Sequence, residues 1–329
     1  MINKRQLIEW SLFAVTALLY CLLLSFRPVP ALSNANDTGR YVQAFHQYCA
    51  GSGIALAEGK ESSYATFSAA TSLACLAKSD GFFLFEVAAF LPLIFLLFVK
   101  WRNGTYLWAC SLMFSVTGLE MMTNALRQSL ATLLFFGAIA LLARHRVIAL
   151  LMVAVAVAAH SSVLIYSPVL LWFAGAHVSK KMLRIGGVAL VLLCIVFYAP
   201  INAFIDEAME LNTFYGAIYS DALSPSFILF ITLPMFWVYG VRHYLAREHI
   251  SIEEKTALLY STALLLICYF VFPAILYRFA LFGVALQIFL AARSEKPGMV
   301  AGGYVLIGSL THLFVMLTVS NNYAVFING

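Results

Sequence analysis

The chain has 329 residues, of which 63% are hydrophobic and 11% charged, and its mean hydropathy is +0.90. These values exclude a soluble globular domain and place the chain among polytopic membrane proteins. The formal net charge of +5 follows from lysines and arginines that flank apolar stretches, so it requires no nucleic-acid partner.

Apolar stretches of about spanning length recur at roughly 8–26, 82–99, 104–121, 126–143, 146–160, 162–176, 184–201, 225–244, 256–272, 274–292 and 299–319. The expectation is an all-α polytopic fold of about 11 transmembrane helices forming one transmembrane domain over 1–329. Threaded alternately with the N-terminus inside and the C-terminus outside, the chain puts all but six of its 20 lysines and arginines on the inside. The exceptions are Arg27, Arg40, Lys60, Lys78, Arg127 and Arg278. The first stretch follows Lys4 and Arg5 and precedes Pro28 and Pro30, and its length favours an uncleaved anchor over a signal peptide.

The long polar interruption at 27–81 falls outside on this threading. It contains Asp37, Arg40, Tyr41, Phe45, Glu61 and Tyr64, and apolar residues recur at helical spacing at Phe67, Ala70, Leu73, Ala74 and Ala77. That spacing predicts an interfacial or re-entrant amphipathic helix over 64–77. Cys49 and Cys75 lie in the same segment. In an oxidising compartment they can pair, and two buried free thiols are the other reading.

A hairpin follows. One apolar run covers 129–143, the turn Arg144-His145-Arg146 is basic, and a second run ends at His160. With about 1.5 Å of rise per residue, Arg127 stands roughly 26 Å above Arg144, and His160 roughly 21 Å above Arg146. The two therefore reach similar heights near the outer face, beside Asn124 and Gln128. Beyond the hairpin, the outside loop 202–224 is acidic, with Asp206, Glu207, Glu210 and Asp221; it reads as a solvated loop, with a lid over a substrate as the alternative. The inside loop 242–255 mixes both signs and reads as a solvated face. Pro273 marks an outside turn, Arg278 sits about one turn into the next helix, and His312 in the last stretch reads as packed against neighbours.

No P-loop, dinucleotide-binding glycine turn, H-E-x-x-H, C-x-x-C, G-x-S-x-G or D-x-D pair is present. No cofactor and no metal ligand set is read. What remains is a group of ionisable residues at the outside face: Asp37, Arg40, Glu61, Glu86, Glu120, Arg127, His160 and Arg278. Charges at membrane depth are costly, and a group of them marks a pathway, a relay or a reaction site. For each residue taken singly, a buried ion pair such as Glu120 with Arg127 is the lesser alternative, and it weakens for the set because the charges share one face.

Asp37 with Tyr41 and Phe45, Glu61 with Tyr64, the run Asn124-Ala-Leu-Arg127-Gln128-Ser-Leu-Ala131, then His160-Ser161-Ser162 and Arg278 resemble the ordered landmarks of the EpsG-like family of Wzy-type bacterial polysaccharide polymerases. The resemblance covers about 37–280, and the N-x-x-R-Q helix followed after a hairpin by H-S-S is its strongest part. It implies that glycan carried on undecaprenyl diphosphate is transferred to a sugar hydroxyl of another lipid-linked repeat unit, at the periplasmic face of the inner membrane. A kinship with GT-C-type glycosyltransferases is an expectation of the same kind. The partners implied are the lipid-linked oligosaccharide, membrane lipids and a chain-length regulator protein.

The residues fit such a reaction. Arginine binds phosphate oxygens with a planar fork and keeps its charge, which assigns Arg127 and Arg278 to the diphosphate, with Arg40, Asn124, Gln128, Tyr41, Tyr64 and Ser161 as further substrate-binding candidates. Histidine titrates near neutrality, so His160 suits a base for the acceptor hydroxyl, and Asp37, Glu61 and Glu120 stay open as catalytic carboxylates. A flippase would call for a midplane site and internal repeats, which are not seen, and an O-antigen ligase for a large late outside loop. A scaffold subunit is the non-enzymatic alternative.

Overall fold

A computed structural model describes residues 4–27, 38–51, 61–174, 225–246, 250–271 and 273–319. Every element among them is a helix. The helices are α1 (Lys4–Ser25), α2 (Thr38–Cys49), α3 (Glu61–Ala70), α4 (Leu73–Ala77), α5 (Asp80–Phe98), α6 (Thr105–Met113), α7 (Val116–Thr123), α8 (Leu126–Leu141), α9 (Arg146–Ala159), α10 (Ser162–Ala174), α11 (Pro225–Ala246), α12 (Ile252–Val271), α13 (Pro273–Arg293) and α14 (Met299–Val319).

Among the described residues α1, α5, α14 and the stretch Leu276–Arg293 of α13 are long and apolar enough to cross a membrane, and α7 with α8 makes a fifth crossing if that bent pair is one span. α9, with 14 residues, reaches only about 21 Å. The stretches at 184–201 and 202–224 lie outside the described residues. The stretch 104–121, expected as one span, is two short helices. Ser115 ends the first run and caps α7, its hydroxyl accepting from Gly118 N–H at 2.9 Å. Gly118 is required there, because an added Cβ would meet the Leu112 carbonyl oxygen.

In lipid there is little hydrophobic gain in bringing apolar helices together, so shape complementarity has to do the work. α13 is the centre: every side chain from 279 to 292 is buried, and α6, α8, α11 and α12 pack around it. Phe136 of α8 stacks on Phe289 of α13 at 4.5 Å between ring centroids. Tyr166 of α10 lies 4.2 Å from the Phe282 ring and donates its hydroxyl to the Phe279 carbonyl at 2.8 Å. On the other side, α5 lies between α1 and α8.

The helix ends sort into two groups. At one end, the Glu9 carboxylate accepts from Gly104 N–H at 3.1 Å, and Arg102 donates to the Ser294 carbonyl at 2.8 Å. Arg242 fixes the α13–α14 turn, donating to the carbonyls of Lys296 at 2.9 Å and Pro297 at 2.8 Å. The loop 242–255 is thus not simply a solvated face. Arg242 and Glu254 are 1% and 3% exposed and form an ion pair at 3.0 Å, because the guanidinium is enclosed by the turn it holds and by Trp108, whose ring is 5.9 Å away.

At the other end α2 meets the starts of α5 and α8, with Phe45 stacked on Phe83 and Tyr41 against Arg127, while α3 packs on α9 and α4 on α5. Cys49 and Cys75 are joined, with 5.4 Å between their Cα atoms. The helix expected over 64–77 is interrupted between α3 and α4. Phe67 and Ala74 face the protein, while Leu73 and Leu76 are exposed, so its apolar residues divide between the protein and the outer surface. Lys78, at φ +49°, closes α4 with its N–H on the Ala74 carbonyl at 3.1 Å. α4 then lies against α5, where the Glu86 carboxylate accepts from Ala74 N–H at 3.1 Å.

Candidate functional site

Between α7 and α8 the chain bends by 110°. The elbow carries Asn124 and Ala125, and the first turn of α8 carries Arg127 and Gln128. The break leaves the last carbonyls of α7 without helical partners in a buried setting, a cost that other groups must offset. Asn124 and Ala125 N–H both turn back to the Glu120 carbonyl at 2.8 and 2.7 Å. Glu120 is buried, and its carboxylate accepts from Asn124 Nδ2 at 3.2 Å. The acid expected to serve as a base or as an ion-pair partner thus helps to hold the elbow.

Arg127 leaves α8 toward α2. Its Nε donates to the Tyr41 hydroxyl at 3.3 Å, and the guanidinium carbon lies 5.7 Å from the centre of the Tyr41 ring. Tyr41 is itself buried, 5.3 Å from the Phe67 ring, so the arginine is positioned by an aromatic wall and a hydroxyl together.

Gln128 points the other way, into the protein. It is 1% exposed, and its Nε2 donates to the Arg278 carbonyl at 2.7 Å. Arg278 Nη1 in turn lies 3.4 Å from His160 Nε2. His160 sits at the break between α9 and α10, its backbone extended at φ −157°, which takes the imidazole off the helix axis. Ser162, not Ser161, meets the ring: its hydroxyl is 2.7 Å from Nδ1 and its N–H 3.3 Å away, while Ser161 is exposed.

Both ring nitrogens of His160 face donors: Nε2 the Arg278 guanidinium, which can only donate, and Nδ1 the Ser162 N–H. A neutral imidazole has one acceptor nitrogen, so the two contacts compete for its single lone pair.

The structure therefore brings Gln128, Arg278 and His160 into one connected set, although Arg278 is 150 positions from Gln128 and 118 from His160. Tyr41 and Arg127 adjoin it through the first turn of α8. Arg40 is half-buried on α2, one position before Tyr41. Asp37 lies outside the described residues, and for Glu61 and Tyr64 only their place on α3 is described. Among the described residues no three His, Cys, Asp or Glu side chains stand close enough to hold a metal ion. Three residues had no assigned role in the sequence reading: Arg27 and Thr38, which reach the elbow, and Ser162. A lone arginine just past the first apolar stretch was the visible signal for Arg27, but its partners are backbone carbonyls and leave no pattern in sequence.

Compared with known protein families, residues 10–326 match the EpsG family. The chain belongs to that family. It is a Wzy-like polysaccharide polymerase family, so this is a membrane protein of polysaccharide synthesis, and the match covers nearly the whole chain, including every residue of the connected set. No curated protein and no solved structure matches the chain.

Proposed function

We propose that this EpsG-family protein joins glycan repeat units carried on undecaprenyl diphosphate at the periplasmic face of the bacterial inner membrane. The observation that carries the reading is the set Gln128–Arg278–His160, in which a cation and a candidate base converge beside the helix turn that presents Arg127. The orientation is supported by the excess of lysine and arginine on the opposite loops. It is supported also by the Cys49–Cys75 bond near this end, since disulfides persist in oxidising compartments.

In the reaction, the acceptor hydroxyl oxygen attacks the anomeric carbon of the donor glycan. The bond from that carbon to the diphosphate oxygen breaks, and undecaprenyl diphosphate leaves with the electron pair. Arg127 and Arg278 bind the diphosphate and stabilise the negative charge that grows on the bridging oxygen. His160 takes the proton of the attacking hydroxyl on Nε2. In the structure Nε2 faces Arg278 at 3.4 Å, so a diphosphate that draws Arg278 toward itself opens Nε2 to the acceptor hydroxyl. Proton acceptance is thereby coupled to the presence of donor. Arg40 and Tyr41, on the helix that covers Arg127, line the approach for the sugar. A chain-length regulator protein is the expected protein partner.

The test is polymer formation by purified protein in lipid, supplied with lipid-linked repeat units. Wild type should yield a ladder of products. Arg127→Ala should slow it by roughly 100-fold, as loss of one group that stabilises a transition-state anion does. Absence of polymer from wild type, or an undiminished rate in Arg127→Ala, would refute the assignment.

A further inference from the structure

We infer that Arg27 is a positioning residue of the site, one that holds the α7–α8 elbow bent and so sets where Arg127 and Gln128 stand. The inference rests on the polymerase reading only for its kinetic consequence; the geometric part stands alone. In an unbroken helix the carbonyls of Met122 and Thr123 would accept from the N–H groups four positions on. Here Leu126 N–H goes instead to the Asn124 carbonyl at 3.0 Å. Arg27 supplies replacements: Nη1 donates to the Met122 carbonyl at 3.4 Å and Nη2 to the Thr123 carbonyl at 3.0 Å. The Thr38 hydroxyl also donates to the Thr123 carbonyl. Met122 and Thr38 are 0% and 2% exposed, so water is no ready substitute.

The choice of arginine is informative. Two carbonyls on successive residues ask for two donors at fixed spacing, which a guanidinium has and an ammonium lacks. A cation also suits the negative end of α7. Among the described residues no carboxylate pairs with Arg27; its partners are the carbonyls of Leu24, Met122 and Thr123. Burial lowers its pKa to about 10, which leaves it charged at neutral pH. Arg27 follows α1 and Thr38 begins α2, so the elbow is held from both sides of the segment that joins them.

The test pairs a distance with a rate, in the full-length protein in lipid bilayers. Spin-labelled noncanonical residues at Leu119 and Leu134 report the bend: straightening from 110° would lengthen the separation by roughly 8 Å at 1.5 Å of rise per residue. Arg27→Ala should shift or broaden the distance distribution toward the longer value and lower turnover at saturating donor at least tenfold. Arg27→Lys should recover part of both. If Arg27→Ala fails to accumulate, Arg27→Lys and Thr38→Val, each removing one donor, carry the same comparison with smaller shifts. An unchanged distance overturns the proposal. A lengthened distance with wild-type kinetics overturns it too, provided Arg127→Ala is slow in the same assay. If Arg127→Ala is fast, it is the polymerase reading that fails, and the distance alone then decides the role of Arg27.

Discussion

Residue by residue, the site is a chain of single contacts whose strengths differ. The Tyr41 hydroxyl is a neutral acceptor for Arg127 Nε at 3.3 Å, a bond of the kind that contributes about 0.5–1.5 kcal/mol, or somewhat more to a charged group. Tyr41→Phe keeps the wall and removes the acceptor, so polymer formation should fall by about tenfold at most, while Arg127→Ala should fall much further. Initial rates on lipid-linked repeat units measure the difference, and equal losses in the two variants would show that Tyr41 does more than position the arginine. Arg127, Gln128, His160 and Arg278 were legible in sequence because polar groups at membrane depth are costly and need partners. Their partners were only partly legible. Ser162 rather than Ser161 reaches the imidazole because the backbone turns at His160, and a turn of that kind decides which of two neighbouring hydroxyls faces inward.

The helices themselves were largely readable, their interruptions less so. Hydropathy marks the stretch 104–121 as apolar throughout, yet the chain breaks at Phe114 and Ser115 because Ser115 caps a new helix and Gly118 lets it pack on the old one. Neither residue interrupts an apolar pattern, so periodicity passes over them. Charge pattern misled in the loop 242–255 for a related reason: alternating signs describe a solvated surface and a buried pair equally well. The pair makes a clear prediction. Arg242→Ala leaves Glu254 buried without its cation, and breaking a buried pair from one side costs about 3–5 kcal/mol. The thermal unfolding midpoint of the purified protein should drop markedly, whereas Arg146→Ala, at an exposed turn, should stay within about 0.5 kcal/mol of wild type. Equal midpoints for the two variants would contradict the burial of Arg242.

Taken as a whole molecule, the chain has a structural end and a chemical end. The first is closed by Arg242, Arg102 and Glu9 on the turns between helices, the second by the disulfide-linked helices α2 to α4 over the elbow. The basic turn Arg144–Arg146 follows the far end of α8 from the elbow, and the proposed orientation puts that end at the cytoplasmic face. A membrane-impermeant thiol reagent applied from the periplasm should therefore label a cysteine placed at Gln43 on α2 and spare one at His145, both exposed positions. The reverse pattern would put the site on the wrong side of the membrane for a lipid-linked donor presented in the periplasm.

The central claim is that Arg278 and His160 act as one unit in glycan transfer. It is tested most directly by single-turnover rates on lipid-linked repeat units for Arg278→Ala, His160→Ala and the double variant. Residues that act together lose most of their effect with the first deletion, so the double variant should be about as slow as the slower single variant. Two large losses that simply multiply in the double variant, or rates equal to wild type in both single variants, would contradict it.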